Sequence, residues 1–341
     1  MTVQVCAATV AYNDPKELAR LLSSLTNQGP ALRGLIVIDN SDHRYLAENK
    51  RVFDTHATQY PFTYYHLTKS NVGSAGGFHH GMKVAHENGF DWLWPVDQDG
   101  VASDLCLTEL LKHADAGDIL CPKKVDIDRP WVVFTRERLK KNFFGHLRPF
   151  RSADMSQIDA FGTHGVLISK KVMDSIGYYD ACHFFVGFED YDYARRALPA
   201  KIAIIAVDAA EVRHPDLRRK KALQESPLGP RDESKLGAVI NKLRPEHLGY
   251  VIHPSHGNQC CSKNRYLLTF SWLYFVTESL SRWQFAIAFV YSLCALFIKF
   301  AMEREICVKK TLDAYVKCLV SNLRNEWPYG CVEEFCRRIL E

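Results

Sequence analysis

The stretch that decides the fold is "FDWLWPVDQDGVASD", Phe90 to Asp104. An aromatic and apolar run, Phe90 to Val96, stops at two aspartates one residue apart, Asp97 and Asp99, and Gly100 follows. The run reads as a buried strand. Like charges this close repel and raise each other's pKa, so they belong in solvent or around a cation. A divalent metal ion is the candidate cation. An isolated D-x-D is otherwise a solvated turn, and the rest of the chain has to decide between the two.

Upstream, strand and helix signals alternate. "VQVCAATVA" (3–11) is a short apolar run. "NDPKELARLLSSLTNQ" (13–28) follows, with Asp14 as N-cap, Pro15 at the first helical position and Glu17 completing a capping box. Leu18, Leu21, Leu22 and Leu25 have helical spacing. "GLIVIDN" (34–40) and "FTYYHL" (62–67) read as further strands, "SAGGFHHGMKVAHENG" (74–89) as a helix, and 90–96 as the fourth strand. Strands separated by helices imply parallel pairing with crossover helices, and such sheets bind ligands beyond the carboxyl ends of their strands. At those ends lie Tyr12 and Asn13, Asp39 and Asn40, Asn71 to Gly73, and Asp97 with Asp99. Polar groups gathered on one edge are the layout of a nucleotide site.

Residues 118–215 are less regular. A strand and helix are expected within 159–180, a helix after the acids of "FFVGFEDYDYARRAL" (184–198), and a strand at 201–207. A charged loop over 214–234 precedes a region expected to be helical only. Its apolar peak, "WQFAIAFVYSLCALFI" (283–298), has 16 residues, short of the about 20 a spanning helix needs. Buried helices are the expected outcome, and an interfacial helix is the alternative.

Bulk properties are those of an ordinary globular chain: 341 residues, 47% hydrophobic, 24% charged. A net charge of +4 is too mild to argue for a nucleic-acid partner. The 11 cysteines are scattered without CxxC spacing, and "MTVQVCAATVAYN" lacks the pattern of a signal peptide. The expectation is a cytoplasmic protein with free thiols.

Three constellations carry possible chemistry. "SNVGSAGGFHHG" (70–81) is glycine-rich after a strand but is neither G-x-G-x-x-G nor a Walker sequence. Its glycines permit either close approach to a diphosphate or tight helix packing. Glu189 and Asp190 precede a helix, where a carboxylate serves as a general base or merely as a favourable first-turn acid. His214, late in the chain, becomes a metal-ligand candidate only in the company of Asp97 and Asp99.

Together these pieces resemble glycosyltransferase family 2, the inverting nucleotide-sugar transferases with the GT-A fold. The resemblance covers roughly 3–215 and rests on "ATVAYNDPKELARLLSSLTNQ", "LIVIDNSD", "NVGSAGGFHHGM", "WLWPVDQDG", "GTHGVLISKKVMDSIGYYDACHFFVGFEDYDYARR" and "VRHP". "KNRYLL" (263–268) is similar to a later segment of the galactofuranosyl subgroup. The implied fold is α/β, a Rossmann-like, mixed but mostly parallel sheet flanked by helices, with a C-terminal helical extension. The implied domains are 1–220, catalytic (donor side about 1–100, acceptor side about 101–220), and 221–341, linker and helices.

The resemblance implies donor binding by Thr9, Tyr12, Asn13, Asp39, Asn71, Gly73, Gly76, Gly77 and Asp97. It implies a Mn²⁺ or Mg²⁺ site at Asp97, Asp99 and His214, a base at Asp190 with Glu189 beside it, and an acceptor side at Trp94, His164 and Phe185. Core packing competes with sugar stacking for the aromatics. The implied partners are a nucleotide-diphosphate sugar and a glycan acceptor, lipid-linked in such enzymes, with peripheral contact at the inner face of the cytoplasmic membrane or a homo-oligomer through the C-terminal helices. Liposome flotation of the full chain at low and high salt separates peripheral binding from insertion. "DQD" departs from the three acids in a row frequent among galactofuranosyl enzymes and is also seen in rhamnosyltransferases. The implied reaction moves galactofuranose from UDP-galactofuranose to a growing cell-surface glycan, with dTDP-rhamnose as the alternative donor. A nucleotide-sugar-binding protein without turnover is the non-enzyme alternative. A nucleotidyltransferase would need a basic glycine-rich loop after strand one, and "VAYNDPKE" is not that.

Overall fold

The computed structural model describes residues 3–128, 138–141, 147–150 and 158–215. The expected helices beyond 221, "KNRYLL" and the apolar run at 283–298 lie outside the described residues. In chain order the elements are β1 (Val5–Ala11), α1 (Pro15–Leu25), β2 (Leu32–Asp39), α2 (His43–Ala57), β3 (Phe62–Leu67), α3 (Gly73–Glu87), β4 (Trp92–Pro95), β5 (Val101–Ala102), α4 (Cys106–Leu111) and β6 (Ile119–Asp126). Then come β7 (Arg138–Lys141), β8 (Leu147–Phe150), β9 (Leu167–Ser169), α5 (Lys170–Ile176), α6 (Glu189–Ala197) and β10 (Ile204–His214).

Eight strands form one sheet in the order β3-β2-β1-β4-β9-β6-β10-β5, and β7 pairs with β8 in a separate two-stranded sheet. The pairs β1–β2, β2–β3, β1–β4 and β6–β10 are parallel, and β9 runs antiparallel to both β4 and β6. Hence β1, β2, β3, β4, β6 and β10 all point the same way, and their carboxyl ends share one edge. Strand order turns at β1, which lies between β2 and β4, and this is where open α/β sheets take ligands. The large sheet belongs to one compact unit made of Met1–Arg138, Phe150–Phe185 and Glu189–Pro215.

Two apolar layers cover the sheet because side chains alternate along each strand. Val5 and Ala7 of β1 join Leu35 and Val37 of β2 beneath Leu18, Leu21, Leu22 and Leu25 of α1. Cys6, Ala8, Ile36 and Ile38 face the other way, beneath Phe78, Met82 and Ala85 of α3. An 11-residue helix is marginal alone. What holds α1 is burial, about 1.5–3 kcal/mol for each leucine, together with its cap: the Asp14 carboxylate accepts from the Glu17 N–H at 3.1 Å.

Among the described residues, the elements expected from the sequence are present, most of them with shifted ends. Missing from that expectation are α2, β5, α4, β6 and the β7–β8 pair. Of α2 only Asn49 and Phe53 are buried, so its amphipathic signal is faint. The strand expected at 201–207 runs on to His214, past a register shift between Val207 and Glu211, where it pairs again with Lys123–Asp126 of β6. Among the described residues, Cys6 and Cys106 are buried free thiols.

Candidate active site

The loops after β1 and β2 are tied together by Asn13. Its backbone is left-handed (φ 54°), which asparagine tolerates better than most residues. Its N–H donates to Ser41 Oγ at 2.8 Å, its Nδ2 to Asp42 Oδ2 at 3.0 Å, and its Oδ1 accepts from the Asp42 N–H at 2.8 Å. Tyr12 beside it is 48% exposed. Asp39, by contrast, is fully buried. Its carboxylate accepts from Ser41 N–H (2.9 Å), from Asn49 Nδ2 (3.0 and 3.2 Å) and from the Tyr65 hydroxyl. Burial, then the contact with Asp39, raises the Tyr65 pKa and keeps that hydroxyl a donor. Asp39 therefore sits in the wall of the site and shapes the 40–42 turn. Thr9 is also buried, with an Oγ1 that has no hydrogen-bond partner.

The glycine segment is used for packing. A Cβ on Gly77 would lie 2.6 Å from Val10 Cγ2, one on Gly76 2.7 Å from Val72 Cβ, and one on Gly73 (φ +73°) 2.0 Å from the Phe185 carbonyl oxygen. Asn71 Oδ1 accepts from Gly73 N–H at 2.8 Å and so opens α3. Phe185 is buried and touches this turn through its backbone, its carbonyl accepting from Ala75 N–H at 3.1 Å. Ser74 Oγ donates to Glu189 Oε1 at 2.5 Å. The segments read separately as donor side and acceptor side are stitched together here.

After β4 the chain turns, closed by Gly100 N–H to Asp97 O at 2.9 Å. Asp97 and Asp99 face His164 and His214, while Gln98 points to the other side. Gln98 Nε2 donates to Asp14 O (3.0 Å) and Tyr12 O (3.4 Å), and its Oε1 accepts from Tyr12 N–H. Arg20 Nη2 holds Asp99 O at 3.2 Å. His214, at the end of β10, places Nε2 2.9 Å from Asp99 Oδ1 and 3.9 Å from Asp97 Oδ2. Its Nδ1 lies 2.9 Å from Pro215 O, a group that only accepts, so Nδ1 carries the hydrogen. In a neutral ring Nε2 then presents a lone pair to a carboxylate. Two lone-pair atoms this close call for a proton or a cation between them. Burial resists ionisation of Asp99, but the hydrogen bond and charge of His214, then the charge of His164, outweigh it and hold the carboxyl below its usual range. Asp97, His164 and His214 each offer one ligand atom, all within 4.8 Å of one another. This donor set fits a divalent ion. His164, expected on the acceptor side, thus lies with the acids.

The α6 acids divide by environment. Asp192 is buried against Arg195 (2.6 Å) and Arg196 (2.8 Å), a structural pairing. Asp190 instead accepts backbone N–H groups, from Thr163 at 3.1 Å and from Tyr191 at 2.8 Å. Burial pushes the Asp190 carboxyl up to about 6 against those bonds. Glu189 is pushed up to about 8, by burial and then by the charge of Asp190, and its Oε2 is buried without a hydrogen-bond partner. Two carboxyls poised near neutrality on a ligand edge are suited to moving protons. Trp94 does not present a stacking face: it is fully buried, its Nε1–H donating to Gly165 O at 2.7 Å.

A mixed, mostly parallel sheet with D-x-D acids after β4, a histidine ending β10 and a carboxyl pair opening α6 defines a GT-A glycosyltransferase fold. The crystal structure titled GalNAc-T7 with UDP, GalNAc and Mn2+ shares that fold, with a TM-score of 0.51 at 12% identity over 63% of this chain and 44% of that one. The sequence model described as glycosyl transferase family 2 matches residues 6–176, and the chain belongs to that family. It is 37% identical over 133 residues to galactofuranosyltransferase GlfT1 of Mycobacterium tuberculosis, 38% of this chain and 42% of that protein. With the GlfT1 of Mycolicibacterium smegmatis it shares 27% identity over 226 residues, 63% of this chain and 72% of that protein. The match to the first of these relatives thus spans about two fifths of its length.

Proposed function

We propose that the chain is an inverting, metal-dependent glycosyltransferase that moves galactofuranose from UDP-galactofuranose to a growing cell-surface glycan. The observation that carries this reading is the joining, on one sheet edge, of the Asp97–Asp99–His214 cluster to the buried carboxyl of Asp190. The names of the relatives support the choice of sugar. Residues 1–220 form the catalytic domain in this reading, and the C-terminal region makes the peripheral contact that a lipid-linked acceptor in the cytoplasm would favour.

Tyr12, Asn13, Asn71 and the hydroxyl of Thr9 line the nucleoside side, with Asp39 fixing the turn behind them. Asp97, Asp99 and His214 would hold the divalent ion, which when bound would supply Lewis-acid neutralisation of the leaving diphosphate. Asp190 takes the proton of the acceptor hydroxyl on a carboxylate oxygen. That hydroxyl oxygen attacks the anomeric carbon from the side opposite the diphosphate, and configuration inverts. Glu189, protonated below about pH 8, is a hydrogen-bond donor to the acceptor and spares Asp190 a second adjacent charge.

A panel of nucleotide sugars, read by thermal stabilisation and by hydrolysis with Mn²⁺ present, tests the reading. UDP-galactofuranose should give both signals. Preference for dTDP-rhamnose would move the assignment to the sugar that the DQD form suggests. Stabilisation without turnover of any donor and acceptor would leave a binding protein and overturn the enzyme.

Gln98 gives a second check. Its amide donates to two carbonyls of the β1–α1 loop, which no carboxylate can do. Gln98→Glu should raise the donor KM about fivefold or more, the effect of losing two solvent-accessible hydrogen bonds at about 0.5–1.5 kcal/mol each, and leave kcat within a few-fold. An unchanged KM would show that this clamp does not position the donor side.

A further inference from the structure

We infer that His164 is itself a ligand of the divalent ion, so that the site presents two carboxylates and two imidazoles and takes a transition-metal ion in preference to magnesium. The inference rests on the metal-dependent reading above and adds a residue to it. His164 Nδ1 is buried and pairs with Asp97 Oδ2. Asp97, His164 and His214 offer three ligand atoms that all lie within 4.8 Å of one another, the spacing of donors around one centre. The ring centroids of His164 and His214 are 4.5 Å apart at 59°, close enough for both to reach one centre from different directions.

The backbone explains why the ring is held there. Gly165 N–H donates to Pro95 O at 3.0 Å, and Val96 forms an isolated antiparallel bridge with His164. The 162–165 turn is therefore laid along the end of β4, one residue before Asp97. His164 N–H donates to Gly162 O at 2.7 Å, and the imidazole covers Gly162: a Cβ there would lie 2.6 Å from its Cδ2 and 2.8 Å from its Nε2. The same Cβ would lie 3.7 Å from Asp190 Oδ2, and Thr163 N–H holds that oxygen. One tight turn thus sets both the ion and the base. Magnesium selects oxygen ligands and keeps its waters, whereas imidazole nitrogens suit first-row transition ions such as iron, nickel and zinc, with manganese the weakest binder of that series.

The test uses the full chain. Pulsed electron paramagnetic resonance of bound Mn²⁺ counts coupled imidazole nitrogens, and calorimetry gives the Mn²⁺ and Mg²⁺ affinities. The wild type should show two nitrogens, and His164→Gln and His214→Gln one each. His164→Gln should weaken Mn²⁺ by more than the 10–100-fold typical of losing a residue that only supports a ligand, and weaken Mg²⁺ much less. Gly162→Ala, which keeps the imidazole but displaces it, should change the spectrum in the same direction. His80→Gln, on α3, should change nothing. A wild-type signal from one nitrogen, removed by His214→Gln alone, overturns the role of His164 and leaves the metal-dependent reading standing. Two nitrogens persisting in His164→Gln also overturn it. Binding of neither ion by the wild type overturns both.

Discussion

Asp190→Asn is expected to lower the transfer rate by about 10²–10⁴-fold, the range for loss of a general base, with donor and Mn²⁺ binding retained. The substitution keeps shape and removes basicity. If the new amide turns its oxygen to the Tyr191 N–H, its NH₂ meets the Thr163 N–H that now donates to Asp190, so a modest local adjustment is expected and donor affinity must be measured beside rate. The pH profile sharpens the test. The working form is ionised, and burial lifts the carboxyl to about 6. Activity should therefore fall below that pH, about tenfold by pH 5. The linked stability has the opposite sense. A carboxyl whose folded pKa lies above its unfolded value of 3.8 adds stability below that value and loses it as pH rises through about 6. The base is thus held ionised at a cost to the fold, and Asp190→Asn should be more stable than wild type at pH 7–8. Because Glu189 and Asp190 share protons, the rising limb belongs to the pair. A descending limb near pH 8 is expected if protonated Glu189 holds the acceptor. Near-normal turnover of Asp190→Asn would move the base to Glu189 or to another group.

What was legible in the sequence follows from how strongly each segment is buried. α1 could be read because Asp14 and Pro15 fix its start and four leucines fix its face. β4 could be read because Trp92, Leu93 and Trp94 are all buried, so apolar residues run without alternation up to Asp97. α2 could not, since Asn49 and Phe53 are its only buried side chains, and β5 is two residues long. The glycines at 73–77 had two readings, and only the closeness of Val10, Val72 and the Phe185 carbonyl shows the packing one at work. Aromatics serve both as sugar platforms and as core, and the sequence leaves both roles open for Trp94 and Phe185. Their burial is a tertiary fact with no local signature. Gln98 looked like an altered acid in a D-x-D, yet a side chain between two outward-facing neighbours points the opposite way, and there it finds Tyr12 and Asp14. Family resemblance puts His164 on the acceptor side. Its nearness to Asp97 arises from the antiparallel bridge to Val96, a long-range pairing that no periodicity in the GTHG turn announces.

Asp99→Ala should reduce transfer by at least about 10²–10³-fold, the cost of losing one preorganised electrostatic group, and should abolish the metal dependence of donor binding. The argument starts from His214. With Nδ1–H committed to Pro215 O, its Nε2 has Asp99 Oδ1 at 2.9 Å and Asp97 Oδ2 at 3.9 Å. Removing Asp99 leaves one carboxylate to hold a dication among imidazoles. The remaining donors are too few in charge to compensate a diphosphate already carrying its own negative charges, so donor affinity and rate should fall together. This separates the variant from Asp190→Asn, in which the ion and donor still bind and only the proton acceptor is gone. Chelation of wild type should reproduce Asp99→Ala, and added Mn²⁺ should restore the chelated wild type but not the variant. Full wild-type activity in excess chelator would remove the ion from the reaction, and Asp97, Asp99 and His214 would then be no more than a hydrogen-bonded cluster at the end of β4.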